Sequence, residues 1–228
     1  MTGALAGLLL LADSRLPAGG HIHSGGVEAL VDRGLLRDVD DLALVLDARA
    51  RTAGLVAGAF AAVGALRPPN WTAWDAAVDV RTPSPALREA SRAQGVALLR
   101  TASSAWRADP ALSALRAMLN RPHHPLVLGA AAAAAGATPA QAAALAVHHL
   151  IGGAASAAVR LLGLNPLTAA GVQAALAPLA DRVAAEAAEA ARAAVEADDP
   201  DLLPSDATPM PEILAELHDA SEVTLFAS

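Results

Sequence analysis

Residues 138–164 read TPAQAAALAVHHLIGGAASAAVRLLGL, and this stretch decides the fold class. Thr138 is a good N-cap residue, Pro139 suits the first helical position, and Gln141 completes a capping box. Alanine and leucine, which are strong helix formers, fill most of the positions that follow. The stretch therefore predicts a helix that ends at the glycine pair 152–153, followed by a second helix that runs almost to the end of the stretch.

The same composition extends along the whole chain of 228 residues. Apolar residues make up 54% of the chain but aromatic residues only 2%, so helices must approach one another closely to bury enough surface. Leucines recur at helical spacing, and no segment shows the alternation that is typical of a half-buried strand. The sequence predicts an all-α fold, a single alanine-rich helical bundle of about nine or ten helices.

Local signals predict several helix boundaries and the division of the chain. Ser24 is predicted to cap a helix that ends at Gly34, a residue suited to the left-handed conformation, and Asp38 and Asn70 are predicted N-caps. Residues 198–211 contain four prolines and four aspartates, which indicates a linker. The predicted units are a helical domain (1–197), this linker (198–211) and a C-terminal partner-docking segment (212–228).

Charge and residue usage exclude several classes of function. All sixteen basic residues are arginine, the net charge is −7, and no basic cluster suits nucleic acid. The chain has no cysteine, so thiolate metal sites and a cysteine nucleophile are excluded. Residues 4–12 are too few to span a bilayer, and His148, His149 and Arg160 interrupt residues 140–164. We expect a soluble, cytoplasmic protein without a membrane partner.

The stretch LPAGGHIHSGGVE at residues 16–28 is where we expect function. Its four glycines allow positive φ angles and close backbone approach. His21 and His23 are weak candidates as ligands of nickel or zinc, because two imidazoles alone do not make a site. A structural or partner-contacting turn is the favoured interpretation. Of the other histidines, the pair at 123–124 is predicted to form a surface turn, and at most one of the pair at 148–149 is expected to face the core.

The sequence lacks the common motifs of catalytic sites. A P-loop requires a lysine, which the chain lacks, and the motif Gly-x-Ser-x-Gly is absent. His23 and Ser24 are neighbours, but the sequence identifies no acid that would orient them as a base and a nucleophile. We therefore predict that the protein is not an enzyme.

Four sequence motifs follow one another along the chain. The residues of the first motif are Leu16, Pro17, Gly19, Gly20, His23, Ser24, Gly26 and Glu28. The second is the helix at residues 88–99 with Arg88 and Arg92, and the third is residues 157–161 with the following Gly163. The last is the tail with His218, Leu225, Phe226 and Ser228. Together these four motifs resemble those of the UreF family of urease accessory proteins.

The chain departs from the family pattern at four positions. His21 stands where phenylalanine is usual, and Ile22 where a small hydroxyl residue is common. Asp219 stands where glutamate follows the histidine, and Thr224 where the tail usually carries arginine. These departures indicate a divergent member of the family.

The resemblance implies a non-enzymatic chaperone for urease maturation. Such proteins form homodimers, bind UreD (also called UreH) through the C-terminal segment, and recruit the GTPase UreG for nickel insertion into apo-urease. No tightly bound cofactor is implied, and nickel would be in transit. The UreG-facing or ion-path surface would comprise Gly19, Gly20, His23, Ser24 and Glu28. Arg88 and Arg92 would form a polar support, and the tail residues His218, Leu225 and Phe226 would bind the partner.

Other classes remain as alternatives. A helical ligand-responsive regulator would need a basic helix-turn-helix, and residues 1–40 offer only Arg15, Arg33 and Arg37. A dimeric adaptor unrelated to urease would share the composition of this chain. A helical metalloenzyme would need Glu-x-x-His pairs on two helices, and the sequence contains none.

Overall fold

The computed structural model describes residues 3–17, 26–206, 213, 214 and 216, and within these ranges it contains helices and no strand. The predicted all-α fold is confirmed. A 3-10 helix, Pro200–Leu202, follows the α-helix that ends at Ala197. The α-helices are α1 Gly3–Ala12, α2 Val27–Asp32, α3 Val39–Arg49, α4 Leu55–Leu66, α5 Trp71–Val80, α6 Pro85–Ala105, α7 Pro110–Met118, α8 His124–Ala134, α9 Pro139–Leu162 and α10 Pro166–Ala197.

Helices α3 and α4 form one rod. They are joined without a break by a π-helical turn, Ala50–Gly54, whose residues keep helical backbone angles at both ends. In such a turn each N–H bonds five residues back, so one extra residue is accommodated. When the rod is counted as one element, the described residues contain nine helices, in agreement with the expected number.

Helix α4 lies at the centre of the bundle, where it packs against α8, α9 and α10. Glycines bring α4 and α8 into backbone contact. A Cβ atom on Gly129 would lie 1.9 Å from the carbonyl oxygen of Ala61, and one on Gly64 would lie 2.3 Å from that of Leu126. Alanine-rich helices bury enough surface only at such short separations, as the composition predicts.

The residues that the structure describes form two hydrophobic clusters in the core. The first lies between α2, α3, α4, α9 and α10 and includes Phe60, Trp74 and Leu203. The second lies between α6, α7, α8 and one face of α9, with Leu11 of α1 and Trp71 of α5 packed into it. Helix α4 contributes to both clusters, because its residues are buried on nearly all sides.

Most predicted helix boundaries are confirmed. The side chain of Asp38 accepts hydrogen bonds from the amides of Asp40 and Asp41 at the start of α3. Asn70 caps α5, and Thr138 forms the predicted capping box with Gln141. Gly34 has a φ of 66°, as expected after the end of α2.

Two predictions of helix limits are wrong. Helix α2 begins at Val27 with Gly26 as its N-cap, so Ser24 is not the cap residue. Helix α9 continues through Gly152 and Gly153 instead of ending there. A glycine in a helix costs only about 1 kcal/mol, and packing of α9 against α4 and α10 outweighs that cost.

Helix α9 is long and apolar enough to cross a membrane by length and composition alone. However, 56% of its most apolar window is buried inside the bundle. A helix in the core of a helical domain can be as long and as apolar as a membrane-spanning helix. The burial of α9 is typical of such a core helix.

Candidate functional site

The predicted site residues fall into two groups. Glu28, Arg88 and Arg92 belong to the described part of the chain. Those outside it are Gly19, Gly20, His21, His23 and Ser24 of the glycine-rich loop and His218, Leu225 and Phe226 of the tail.

The two flanks of the glycine-rich loop are fixed to helices. On the N-terminal side, the Thr101 hydroxyl of α6 donates to the carbonyl oxygen of Pro17 at 2.8 Å. On the C-terminal side, Gly26 adopts a φ of 84° and leads directly into α2. Glu28 lies in the first turn of α2 and is only 4% exposed. The glycine-rich loop therefore connects two fixed points, and Glu28, just after it, is buried at the start of α2.

His149 of α9 contacts the end of α1, the helix that precedes the glycine-rich loop. The Nε2 atom of His149 lies 3.0 Å from the carbonyl oxygen of Leu11, and burial lowers the pKa of His149 to about 4. The ring is therefore neutral at pH 7, with its proton on Nε2. As predicted for this pair, one histidine is packed inward, and the other, His148, is exposed. Among the described residues, no group of three metal-ligating side chains is arranged to hold a metal.

The most extensive polar network of this region lies where α5, α6 and the turn before α8 meet. Arg92 of α6 donates from Nη1 to Asp75 at 3.0 Å and from Nη2 to Asp79 at 2.6 Å. Its guanidinium also donates to the carbonyl oxygen of Arg121. One arginine thus joins three segments of the chain.

His123 completes this network, and the predicted surface turn at 123–124 is wrong for this residue. The His123 side chain has no exposed surface, and its backbone amide donates to Asp75 at 2.8 Å. Its Nε2 lies 2.8 Å from Asp79, and its Nδ1 lies 3.0 Å from the hydroxyl of Ser91. A buried imidazole was missed because all three partners lie on helices distant in sequence.

The protonation states follow from these contacts. A carboxylate accepts only, so Nε2 of His123 donates to Asp79 and Nδ1 accepts from Ser91. Burial lowers the pKa of His123 despite its acidic neighbours, which keeps the ring neutral. Burial alone would raise the pKa of Asp79, but hydrogen bonds from His123 and Arg92 outweigh it and hold that pKa below its usual value.

Ser91, His123 and Asp79 are connected in the order of a hydrolase triad. A general base must reach the substrate as well as the nucleophile, and the His123 ring is closed off from solvent. The Ser91 oxygen also accepts from the amide of His124 at 3.3 Å. The arrangement joins α5, α6 and the start of α8.

Arg88 fixes the turn between α5 and α6. Its Nη1 donates to the carbonyl oxygens of Thr82 at 2.6 Å and Pro83 at 2.9 Å. Beyond it, Arg121 and Glu89 form an ion pair at the outer edge of the network. Arg88 and Arg92 thus lie one helical turn apart, and both approach Asp79, because the Nε atom of Arg88 lies 4.0 Å from Oδ1 of that carboxylate.

The sequence contains a signal for the residues that were missed. Asp75 and Asp79 are four residues apart on α5, as Arg88 and Arg92 are on α6, so each pair lies along one helix face. Matched acidic and basic spacings on consecutive helices predict a paired interface. Ser91 and His123 carry no comparable signal.

Comparisons with known proteins identify the family. The UreF family model matches residues 36–177. The urease accessory protein UreF of Mycolicibacterium vanbaalenii is 43% identical over 228 residues, or 99% of each chain. That of Mycobacterium sp. strain JLS is 44% identical, covering 98% of this chain and 99% of its own. That of Mycobacterium tuberculosis strain H37Ra is 36% identical over 99% of each. With a match of this extent, the chain belongs to the UreF family of urease accessory proteins.

Proposed function

We propose that the chain is a cytoplasmic, non-enzymatic nickel-insertion chaperone that bridges UreD/UreH and the GTPase UreG while apo-urease is activated. The observation that carries this proposal is its similarity to urease accessory proteins over 98–99% of its length. A match of this extent includes both segments expected to contact partners, the glycine-rich loop and the tail.

The mechanism would be coupling through binding. A protein that binds one nucleotide state of UreG more tightly than the other shifts the equilibrium between the two states. The shift in free energy equals the difference between its two binding free energies. UreG would supply the chemistry of GTP hydrolysis. Rigid support of the contact surfaces fits this role, and the Arg92 network together with the bond between Thr101 and Pro17 provides such support.

The glycine-rich loop is assigned to UreG. Both of its flanks are held by described helices, so a partner that contacts Gly19, Gly20 and Ser24 would meet a loop whose ends are already fixed. Alanine at Gly19 and Gly20 should weaken UreG capture while leaving UreD binding unchanged. Loss of both partners from a folded variant would contradict this assignment.

The tail is assigned to UreD. Deletion of residues 217–228 should abolish co-purification with UreD, because it removes Leu225 and Phe226. This deletion keeps Leu214 and Glu216, which contact the helical body, so the circular dichroism and melting temperature should match those of the full chain. Full capture of UreD by the truncated chain would overturn the assignment.

Nickel is proposed to be cargo and not a resident cofactor. Calorimetric titration of the isolated protein with nickel, beside a His21→Ala/His23→Ala variant, tests whether the loop contacts the ion. Equal binding by both proteins would exclude the loop as a ligand site. Sedimentation equilibrium of the isolated chain tests the proposed homodimer.

A further inference from the structure

The start of the C-terminal segment is attached to the first turn of α6. The Oε1 atom of Glu216 accepts a hydrogen bond from the amide of Ala86 at 3.0 Å and another from the hydroxyl of Ser84. The Ser84 hydroxyl is well placed for this contact, because Ser84 is the N-cap of α6 and is only 3% exposed. A carboxylate at a helix N-terminus also interacts favourably with the helix dipole.

The hydrophobic side chain two residues earlier reinforces the attachment. Leu214 is 3% exposed and belongs to the same hydrophobic cluster as Leu203. Burial of a leucine side chain stabilises its position through the hydrophobic effect. The attachment therefore combines a buried apolar contact with two hydrogen bonds, one of them from the backbone.

Arg81, the residue that follows α5, fixes the chain upstream of this point. Arg81 donates to the carbonyl oxygens of Pro200 at 2.8 Å, Leu203 at 3.1 Å and Pro204 at 3.0 Å. Its guanidinium also lies 5.8 Å from the ring centroid of Phe60. Both contacts, at Arg81 and at Ser84, lie at the corner between α5 and α6.

This corner is also where the Arg92 network begins. Ser84 serves α6 and the C-terminal segment at once, since its oxygen accepts from the amide of Leu87 while its hydroxyl donates to Glu216. Arg88, in the next turn, holds the carbonyl oxygens of Thr82 and Pro83. The point of attachment is therefore part of a stiff element.

We propose that Glu216 is a positioning residue that fixes the start of the C-terminal docking segment at the α5 and α6 corner before any partner binds. This inference rests on the proposed docking of UreD by residues 217–228. A segment that starts from a fixed point loses less conformational entropy on binding than one that starts from a free chain end. Glu216 therefore increases affinity for the partner without touching it.

Hydrogen exchange of the full-length protein tests the attachment. In Glu216→Ala the amide of Ala86 loses its acceptor, and its exchange should accelerate by about tenfold. Glu216→Gln keeps an oxygen at the same place and should retain most of the protection. Glu186→Ala removes an exposed glutamate from α10 and is the matched control. Unchanged exchange of Ala86 in Glu216→Ala would overturn the proposal.

Affinity for UreD tests the consequence. Glu216→Ala should weaken UreD binding by roughly fivefold to tenfold, with Glu216→Gln close to the parent protein. Faster exchange with unchanged or tighter UreD binding would overturn the positioning role. If deletion of residues 217–228 leaves UreD binding intact, the proposed docking fails and the positioning role fails with it. The exchange measurement, which needs no partner, would still report whether the attachment exists.

Discussion

The Nε2 atom of His123 lies 2.8 Å from Oδ1 of Asp79, although 44 residues separate the two. This contact joins the start of α8 to α5 and sets the tautomer of a ring that has no exposed surface. It also lets Ser91 donate to the other ring nitrogen, so the network of α5 and α6 is satisfied on both sides of the imidazole.

Replacement of this imidazole should destabilise the bundle. His123→Ala removes both ring hydrogen bonds and opens a cavity, and we expect a loss of about 3 kcal/mol in the free energy of unfolding. His148→Ala, at an exposed position of α9, should change it by less than about 0.5 kcal/mol. Urea denaturation at pH 7.5 measures both, and equal stabilities of the two variants would contradict the structural role of the ring.

Removal of the arginine that joins α5 to α6 should also destabilise the protein. Arg92→Met leaves the carboxylate of Asp75, whose side chain is 7% exposed, without its charged partner. We expect a loss of about 2–3 kcal/mol. Arg100→Met on the exposed side of the same helix is the control, with little expected change. A melting temperature of Arg92→Met equal to that of the control would refute the assignment of Arg92 as a support.

Two glycines should respond to alanine with opposite signs. Gly129→Ala places a Cβ atom 1.9 Å from the backbone of Ala61 and should cost about 3 kcal/mol or more, because α4 and α8 must separate. Gly171→Ala on α10 meets no atom within 4 Å and should stabilise the protein by about 0.5–1 kcal/mol. Chemical denaturation measures the free energy of unfolding of both variants. An unchanged value for Gly129→Ala would contradict the close contact between α4 and α8.

Stability should fall as the pH drops from 6.5 toward 4. His149 has a pKa of about 4 in the folded protein against 6.5 ordinarily, so the unfolded chain binds more protons within this window. The stabilisation is complete above pH 6.5 and is lost as the pH falls toward 4. His149→Gln should reduce the pH-dependent loss by on the order of 2 kcal/mol.

The control for this measurement is His148→Gln, which should retain most of the pH dependence because burial is the main cause of the shift at His149. His123 shifts in the same direction, so some pH dependence should persist in His149→Gln. Identical unfolding curves for His149→Gln and the parent protein at pH 5 would show that His149 does not carry the effect.

Local signals predicted most of the helix boundaries, and tertiary contacts account for the wrong limit at Gly152 and Gly153. The caps at Asp38, Asn70 and Thr138 depend on residues within one turn, which the sequence displays directly. The continuity of α9 through Gly152 and Gly153 depends on its packing between α4 and α10, which no local pattern reveals. In the core, packing of α9 therefore outweighs the low helix propensity of its two glycines.

The sequence indicated only some residues of the polar network around Arg92. Arg88 and Arg92 were selected because of a family resemblance, and the structure adds their partners on α5 and in the turn before α8. The burial of His123 could not be predicted, because its partners lie 32 to 48 residues away. Prolines on both sides of the pair at 123–124 indicated a turn, and only the packing shows that this turn lies inside the bundle.

The π-helical turn Ala50–Gly54 sets the angular phase of α4 relative to α3. Each residue of an α-helix turns the following side chains by about 100°. Loss of a single residue from this turn would restore regular helix and rotate the whole of α4 by that angle, which would move Phe60 out of the first cluster and Gly64 off α8. The number of residues in this turn therefore determines which face of α4 meets α8.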